Sequence, residues 1–260
     1  MKKRSLLAQK SAFILFVALF FVCAFQIFRI FTDLQREQNE FARLTGKKSA
    51  SESEIATQSK PEKNEEGTAV LAKYRLIYQE NPDLVGWIHI DGTKIDYPVM
   101  STPQDKEFYL HRGFDKNESF SGVPFLDTDS SLDGNHTVIY GHNMKNKTMF
   151  ATLFNYKSKE FWKEHPTIQL DSLYEERIYE VMGVFYSKIY SKQETGGFRY
   201  YEYVQLPTQE KFEEYCYQVK KASLYDTGVR AEKDDQLLTL STCSYQVKDG
   251  RFVVVARRIQ

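Results

Sequence analysis

The sequence has few cysteines and no surplus of charge of either sign. Its 260 residues contain three cysteines, Cys23, Cys216 and Cys243, which are widely separated and form no CxxC pair. This pattern argues against a disulfide framework and against a structural zinc site, and we expect no metal or cofactor. Lys plus Arg and Asp plus Glu both number 35, so the formal net charge is zero. Nucleic-acid binders usually carry a basic surplus, so we expect no nucleic-acid partner.

The sequence also lacks a signal-peptidase site after its one long apolar segment. Residues 12–31 are apolar except for Gln26 and Arg29, and four basic residues precede them. Twenty helical residues span roughly 30 Å, which matches a bilayer core. No small-x-small site follows the segment, and no small residues stand just before Cys23, which argues against a cleaved signal peptide and a lipoprotein. We therefore predict a signal anchor at 12–31, with residues 1–11 in the cytoplasm and the rest exported.

Residues 32–68 are polar and charged, and no internal repeat is visible in the chain. The first part of this segment can continue the anchor helix. The portion from about 46 to 68 is rich in Ser, Glu and Lys and buries too little apolar surface to fold alone, so we interpret it as a tether. The globular domain is predicted to span residues 69–260.

The domain is predicted to be mainly β. Helices are expected just before Asn81-Pro82 and at residues 208–223, where apolar residues have helical spacing. Short helices are also expected in MFATLFNY and KEFWKEHP. Eight segments have strand character: VGWIHI, KIDYPVM, GVPFLD, HTVIYGH, TIQLD, RIYEVMGVFYSKI, LLTLSTC and RFVVVARRI. Many strands with few helices between them favour a mainly antiparallel sheet closed into a barrel, with peripheral helices.

The last two strands bring a cysteine and an arginine together. LLTLSTC ends at Cys243 and RFVVVARRI begins at Arg251, with a polar loop between them. If the strands pair as a hairpin, the two side chains lie roughly 5 Å apart at Cβ. A guanidinium stabilises a nearby thiolate and can hold the oxyanion formed when a thiolate attacks a carbonyl. The hairpin alone leaves open whether Cys243 is a nucleophile or a buried packing residue.

A cysteine nucleophile usually needs an imidazole partner, and His142 is the strongest candidate. It ends the strand HTVIYGH, where we expect Gly141 to let the backbone turn sharply and place the ring at a sheet end. The other four histidines are interpreted as structural, with His136 in a turn after Asp133-Gly134-Asn135. They are His89, His111, His136 and His165.

These motifs together resemble the sortases. TLSTC is followed by an arginine on the next strand, and YGHN stands about a hundred residues upstream. VGWIHIDGTKIDYPV, GVPFLD and IYGHNMKNKTMFATL are similar to stretches of class B sortases. The resemblance covers roughly residues 69–260 in continuous order. It implies a closed eight-stranded sortase-type β-barrel behind an N-terminal transmembrane helix.

The resemblance also implies roles for individual residues. Cys243 corresponds to the family nucleophile and His142 to the histidine that protonates the leaving amine. Arg251 corresponds to the arginine that positions substrate and stabilises the oxyanion, and the backbone N–H of Ser244 is a second expected oxyanion donor. The residues expected to contact substrate are Tyr140, Ser241, Thr242 and Ser244.

The implied reaction is transpeptidation. A sortase cleaves a sorting motif near the C-terminus of a secreted protein after its Thr, holds the chain as a thioacyl intermediate and transfers it to an amine. The implied partners are motif-bearing secreted proteins and a peptidoglycan or pilin amine. The implied location is the cell membrane, crossed once, with the catalytic domain outside.

The sequence departs from the class B pattern at one position, and three alternatives stay open. Many class B sortases carry Asp after the cysteine, where this chain has Ser244. No Asp-Pro dipeptide occurs, which disfavours the lid of pilin-type class C sortases, although some class B enzymes build pili. A cell-wall cysteine peptidase or amidase would also use Cys243, but papain-like and amidase families place Cys before His. A non-catalytic barrel would need Cys243 only for packing.

Overall fold

The computed structural model describes residues 2–55, 70–102 and 104–260. Helix α1 up to Glu40 is one compact unit, and Phe41–Gln260 form a second. The α-helices are α1 (Lys2–Ile55), α2 (Ala72–Glu80), α3 (Lys159–Glu164) and α4 (Gln209–Ala222). Within the described ranges, 3-10 helices cover Phe108–Leu110, Phe150–Lys157 and Tyr200–Glu202. The helix predicted in MFATLFNY is therefore present, but as a 3-10 helix.

The second unit is built on a closed eight-stranded β-barrel, which confirms the predicted fold class. Its strands are β1 (Leu84–His89), β2 (Asp96–Met100), β3 (Phe125–Leu126), β4 (His136–Tyr140), β5 (Thr167–Ser172), β6 (Ile178–Lys188), β7 (Leu237–Ser244) and β8 (Gly250–Arg258). Around the barrel they follow the order β1-β2-β3-β4-β7-β8-β6-β5. Neighbours are antiparallel except for β2 with β3 and β4 with β7, which are parallel.

Helix α1 carries the predicted anchor. Among the described residues, Ala12–Ser53 is a helical segment long and apolar enough to cross a membrane, with a mean hydropathy of 2.5 in its most apolar window. Its large apolar side chains between Phe13 and Phe31 are exposed to the surroundings. Of the predicted tether, residues 46–55 continue helix α1, and residues 56–68 lie outside the described part of the chain.

The last turns of α1 pack on the barrel. Phe41 and Leu44 belong to the main apolar core. The Phe41 ring meets Tyr97 edge-on, with 5.2 Å between ring centroids. Lys48 forms an ion pair with Asp96 at 2.8 Å and lies 4.8 Å from the centre of the Trp87 ring. The compact unit around the barrel therefore begins upstream of residue 69.

Strand β7 is buried on both faces, which fixes the direction of its side chains. Leu238 and Leu240 point into the main core inside the barrel. Leu237 belongs to a second apolar cluster, formed with helix α4. Because side chains alternate along a strand, Ser241 and Cys243 lie on the same face as Leu237. The thiol therefore stands at the end of a strand that is packed along its length.

His136 begins strand β4 and is buried, so the prediction of a turn there is wrong. Its Nδ1 bonds the backbone oxygen of Tyr203 at 2.7 Å, and its Nε2 bonds Oγ1 of Thr239 at 2.8 Å. Burial lowers the pKa of His136 to about 4, against a smaller opposing effect of the bond to Tyr203. The ring is a neutral structural link between β4 and β7.

Candidate active site

Cys243 and Arg251 lie directly opposite each other on β7 and β8, as the sequence pattern predicts. The ladder continues for one more pair, Ser244 with Gly250, so the loop between the strands is Tyr245–Asp249. Both Cys243 and Arg251 are half-buried. The packed barrel wall thus presents a thiol and a guanidinium side by side at its end.

The guanidinium of Arg251 is anchored without a carboxylate partner. Its Nη1 donates to the backbone oxygens of Asp249 at 3.3 Å and Gly250 at 3.0 Å. Within the described residues, no Asp or Glu forms an ion pair with it. Asp249 is an exposed loop residue whose φ of 55° lies in the left-handed region. Most of the five N–H donors of Arg251 therefore remain available to a ligand.

His142 is held beside Cys243 by the parallel pairing of β4 and β7. The backbone N–H of Gly141 donates to the oxygen of Ser241 at 3.2 Å. Asn143 Nδ2 donates to the backbone oxygen of Cys243 at 2.9 Å. His142 stands between these two anchoring residues. The candidate thiol, imidazole and guanidinium thus come from three adjacent strand ends, although about a hundred residues of chain separate His142 from Cys243.

Gly141 is required by a close approach rather than by the sharp turn that the sequence suggested. Gly141 is not among the glycines with positive φ. A Cβ at this position would stand 2.8 Å from the ring of Phe150, closer than side chains tolerate. The ring of Phe150 therefore covers the backbone next to His142.

Replacing Gly141 with alanine is expected to destabilise the barrel end by roughly 1–3 kcal/mol, because the new methyl group overpacks the site. Chemical denaturation of the wild type, the single variants and the double variant Gly141→Ala/Phe150→Leu measures this effect. The double variant should lose less stability than the sum of the two single losses, since leucine makes room for the methyl group. Additive losses would show that the Phe150 ring does not limit residue 141.

The imidazole of His142 has a defined orientation. Its Nε2 lies 2.8 Å from the backbone oxygen of Leu110. Because a carbonyl oxygen can only accept, Nε2 carries the proton, and the neutral ring keeps Nδ1 as its basic nitrogen. The His111 ring lies 5.8 Å away between centroids. Burial lowers the pKa of His142; the bond to Leu110 opposes this effect, and the neighbouring His111 lowers the pKa further.

Replacing His111 with asparagine is expected to raise the pKa of His142, because a like charge beside the ring is removed. His111 is exposed, so the substitution should leave the fold intact. An NMR titration of the ring Hε1 proton of His142 measures the change directly. An unchanged pKa would show that His111 does not act on His142, and a lower pKa would contradict the expected sign of its effect.

The expected substrate contacts lie around this centre, but their hydroxyls bond within the protein. Tyr140 donates to Asp127 at 2.9 Å. Ser241 shares a 2.6 Å bond with Tyr200, and Thr242 donates to the oxygen of Gly141 at 2.7 Å. Ser244 Oγ accepts from the backbone N–H of Gln246 at 3.5 Å. Ser241, Thr242 and Ser244 are buried, whereas Tyr140 is half-buried.

The other two cysteines occupy different surroundings. Cys23 is exposed on helix α1 within the apolar segment. Cys216 on α4 packs against the second apolar cluster. Burial, followed by the charge of Asp235, raises the pKa of the Cys216 thiol to about 12, so it stays protonated. Cys243 is thus the thiol that stands beside a cation at a strand end.

Two site groups were not assigned a role from the sequence. Asn143 belongs to the YGHN motif and bonds the backbone of Cys243. Its place in that motif could have indicated a role in the site. The backbone carbonyl of Leu110, which orients His142, could not be identified from the sequence, because every residue supplies a carbonyl. In the described ranges, no group of three or more His, Cys, Asp or Glu side chains is placed to hold a metal ion.

A closed β-barrel with a thiol, an imidazole and a guanidinium at adjacent strand ends defines a candidate cysteine acyl-transfer protein. The Sortase domain family matches residues 88–259. The chain is 36% identical to sortase B of Listeria monocytogenes over 190 residues, which cover 71% of this chain and 73% of that protein. The chain belongs to the sortase family of cysteine transpeptidases, and its relatives are class B members.

Solved structures give the same result for the fold. A mutant form of Clostridium perfringens sortase B, with serine in place of a cysteine, superposes with a TM-score of 0.65 at 32% identity, covering 72% of this chain and 87% of that one. A Staphylococcus aureus sortase B–substrate complex superposes with a TM-score of 0.74, covering 88% and 99%, at 24% identity. The latter likeness concerns the barrel fold alone.

Proposed function

We propose that this chain is a membrane-anchored transpeptidase that cleaves a C-terminal sorting motif of secreted proteins after Thr and transfers the acyl chain to a peptidoglycan amine. The observation that carries the proposal is the pairing of Cys243 with Arg251 beside His142 at one end of the barrel. Membership of the sortase family supports the same reaction.

In the first step, Cys243 gives its proton to Nδ1 of His142 and attacks the Thr carbonyl carbon. A C–S bond forms, and the carbonyl electron pair moves to the oxygen. Collapse of this intermediate breaks the C–N bond, and His142 returns the proton to the leaving amine. The acyl chain stays on Cys243 as a thioester. The bond from Nε2 of His142 to Leu110 supports this role, because it leaves Nδ1 free.

In the second step, an amine attacks the thioester carbon and loses a proton to His142. A C–N bond forms, the C–S bond breaks and Cys243 is released as a thiol once the proton reaches it. Arg251 holds the carbonyl oxygen in both steps, and we assign the backbone N–H of Ser244 as a second donor. Tyr140, Ser241 and Thr242 remain proposed contacts. The hydroxyls of Ser241 and Thr242 are bonded within the protein.

We propose the following arrangement in the membrane. Residues 12–31 of helix α1 span the bilayer, residues 1–11 stay in the cytoplasm, and residues 32–68 link the anchor to a catalytic domain at 69–260 outside the cell. Within this link, Phe41 and Leu44 pack on the barrel. The apolar composition of α1 and the basic residues before it support this topology. Anchoring would hold the site at the membrane face, where exported proteins and cell-wall amines meet.

The experiment incubates the full-length chain in detergent with a library of sorting-motif peptides, with and without triglycine as the amine. Mass spectrometry should detect a ligated product that requires both triglycine and Cys243. Hydrolysis alone, unchanged by the amine, would instead assign a cysteine peptidase or amidase. A pilin lysine peptide in place of triglycine tests the alternative in which the enzyme joins pilins.

A further inference from the structure

An open groove of about 550 Å³ lies next to the candidate active site, and of its lining residues the reaction steps above use Ser244 alone. Its walls are the loop after β4, the 3-10 helix Phe150–Lys157 and the loop after β7. Among its lining residues are Asn143, Lys145, Lys147, Lys157, Ser244 and Tyr245. We call it the lysine groove.

The lysine groove carries a local positive charge in a chain whose formal net charge is zero. Lys145, Lys147 and Lys157 are exposed, and none forms an ion pair with another described residue. The groove has no Asp or Glu in its lining. Three cations that share one concave surface without a counter-charge favour an anionic ligand.

The groove is also preformed. Asn143 and Met149 form a β-bridge that closes the loop carrying Lys145 and Lys147. Within that loop, the Thr148 hydroxyl donates to Asn146 at 2.6 Å. On the opposite wall, the Tyr245 hydroxyl donates to the backbone oxygen of Asn143 at 3.2 Å. The backbone that carries Lys145 and Lys147 is therefore held in place, which lowers the ordering cost of binding.

The groove begins at the reacting centre. Asn143 follows His142 in the chain and bonds the backbone of Cys243, and Ser244 follows Cys243. His142 is the group assigned to take a proton from the incoming amine. When the amine group lies at His142, the remainder of the acceptor molecule lies beside this groove. An anionic molecule lying there would present its amine to the thioester.

Resting on the transpeptidase function proposed above, we propose that the lysine groove binds the acyl acceptor and selects an amine-bearing peptide with carboxylates close to the amine. The positive groove acts in two ways. It attracts the carboxylates, and it disfavours the ammonium form of the amine, which must lose its proton to attack. Phe154, with Lys157 5.9 Å from its ring centre, and the exposed Tyr245 supply apolar contact to the peptide.

The test uses the full-length chain and three acceptors, Gly-Gly-Asp-Asp-amide, Gly-Gly-Ser-Ser-amide and Gly-Gly-Lys-Lys-amide, with a donor peptide from the library. The acidic acceptor should be transferred with kcat/KM on the order of tenfold above the neutral one, because each exposed ion pair is weak but both carboxylates lie in the field of three lysines. The variant with Lys145, Lys147 and Lys157 all replaced by Gln should lose this preference. Salt of about 1 M should also remove it, since the screening length falls to about 3 Å.

A matched control replaces Lys94, Lys159 and Lys233, which are exposed lysines outside the groove, with Gln. This control variant should keep the wild-type preference. Hydrolysis of the donor without an amine should be the same in all three proteins. Equal preference in the groove and control variants overturns the proposal, and so does slower donor hydrolysis in the groove variant, which would assign the groove to the donor.

A binding titration separates this proposal from the transpeptidase function itself. Gly-Gly-Asp-Asp-amide is titrated into each protein, and the NMR shifts of Asn143 and Tyr245 are followed. The groove variant should bind about tenfold more weakly than the control variant. If no donor peptide is ever transferred, the proposed function fails, whereas equal binding by the two variants overturns the groove proposal alone.

Discussion

Replacing Cys243 with alanine is expected to lower the rate of sorting-peptide cleavage on the order of 10⁴-fold or more, because the nucleophile of both steps is removed. Methyl for thiol is a small change at a half-buried position, so the barrel should stay folded. Cleavage is measured by mass spectrometry of the donor peptide, and the fold by circular dichroism. In cells that carry only this variant, anchoring of surface proteins should stop.

Cys216 offers the matched control. Like Cys243, it is a free cysteine. It lies on α4 against the second apolar cluster, and burial raises its pKa to about 12. The Cys216→Ala variant should cleave the donor peptide at the wild-type rate. Its stability should fall slightly. Full activity of the Cys243→Ala variant would mean that the barrel uses another nucleophile, or that its thiol serves only for packing.

Replacing Arg251 with alanine should lower kcat on the order of 10²- to 10³-fold, because the donor aimed at the oxyanion is lost. The lysine variant should recover only part of this loss, since lysine lacks the planar fork of donors. Single-turnover kinetics should place the loss in the chemical step. Among the described residues, the guanidinium of Arg251 bonds the backbone oxygens of Asp249 and Gly250 and no side chain, so stability should change little.

Arg230→Ala serves as the control for a lost guanidinium. Arg230 is exposed, bonds Asp226 four residues away and lies in the segment between α4 and β7. It should leave kcat unchanged. If the Arg251→Ala variant instead raises KM with an unchanged kcat, Arg251 binds substrate without stabilising the transition state.

The closing hairpin could be predicted from the sequence because its geometry is local. Two β-rich runs joined by a short polar loop allow one antiparallel pairing that aligns Cys243 with Arg251, and the structure has that pair. The helix predicted at 208–223 is present as α4, Gln209–Ala222, for the same reason: apolar residues recur at helical spacing. Strand number and barrel closure followed from the pattern of short strands.

The surroundings of His142 could not be predicted, because they depend on contacts between distant segments. Parallel pairing of β4 with β7 brings residues about a hundred positions apart together, and periodicity does not encode which strands become neighbours. The carbonyl of Leu110 and the ring of His111 reach His142 from a 3-10 helix that precedes β4. The packing of Phe41 on the barrel was hidden for the same reason, since a polar segment gave it no periodic pattern.

In the proposed reaction, Cys243 carries the acyl chain between two amines. Intact-protein mass spectrometry of the full-length chain, quenched in acid after mixing with a donor peptide, tests it most directly. We expect an adduct on Cys243 with the mass of the N-terminal fragment of the donor, ending in Thr. This adduct should disappear when triglycine is added, as the ligated product appears. A donor cleaved without any adduct on Cys243, or an adduct that triglycine leaves unchanged, would contradict it.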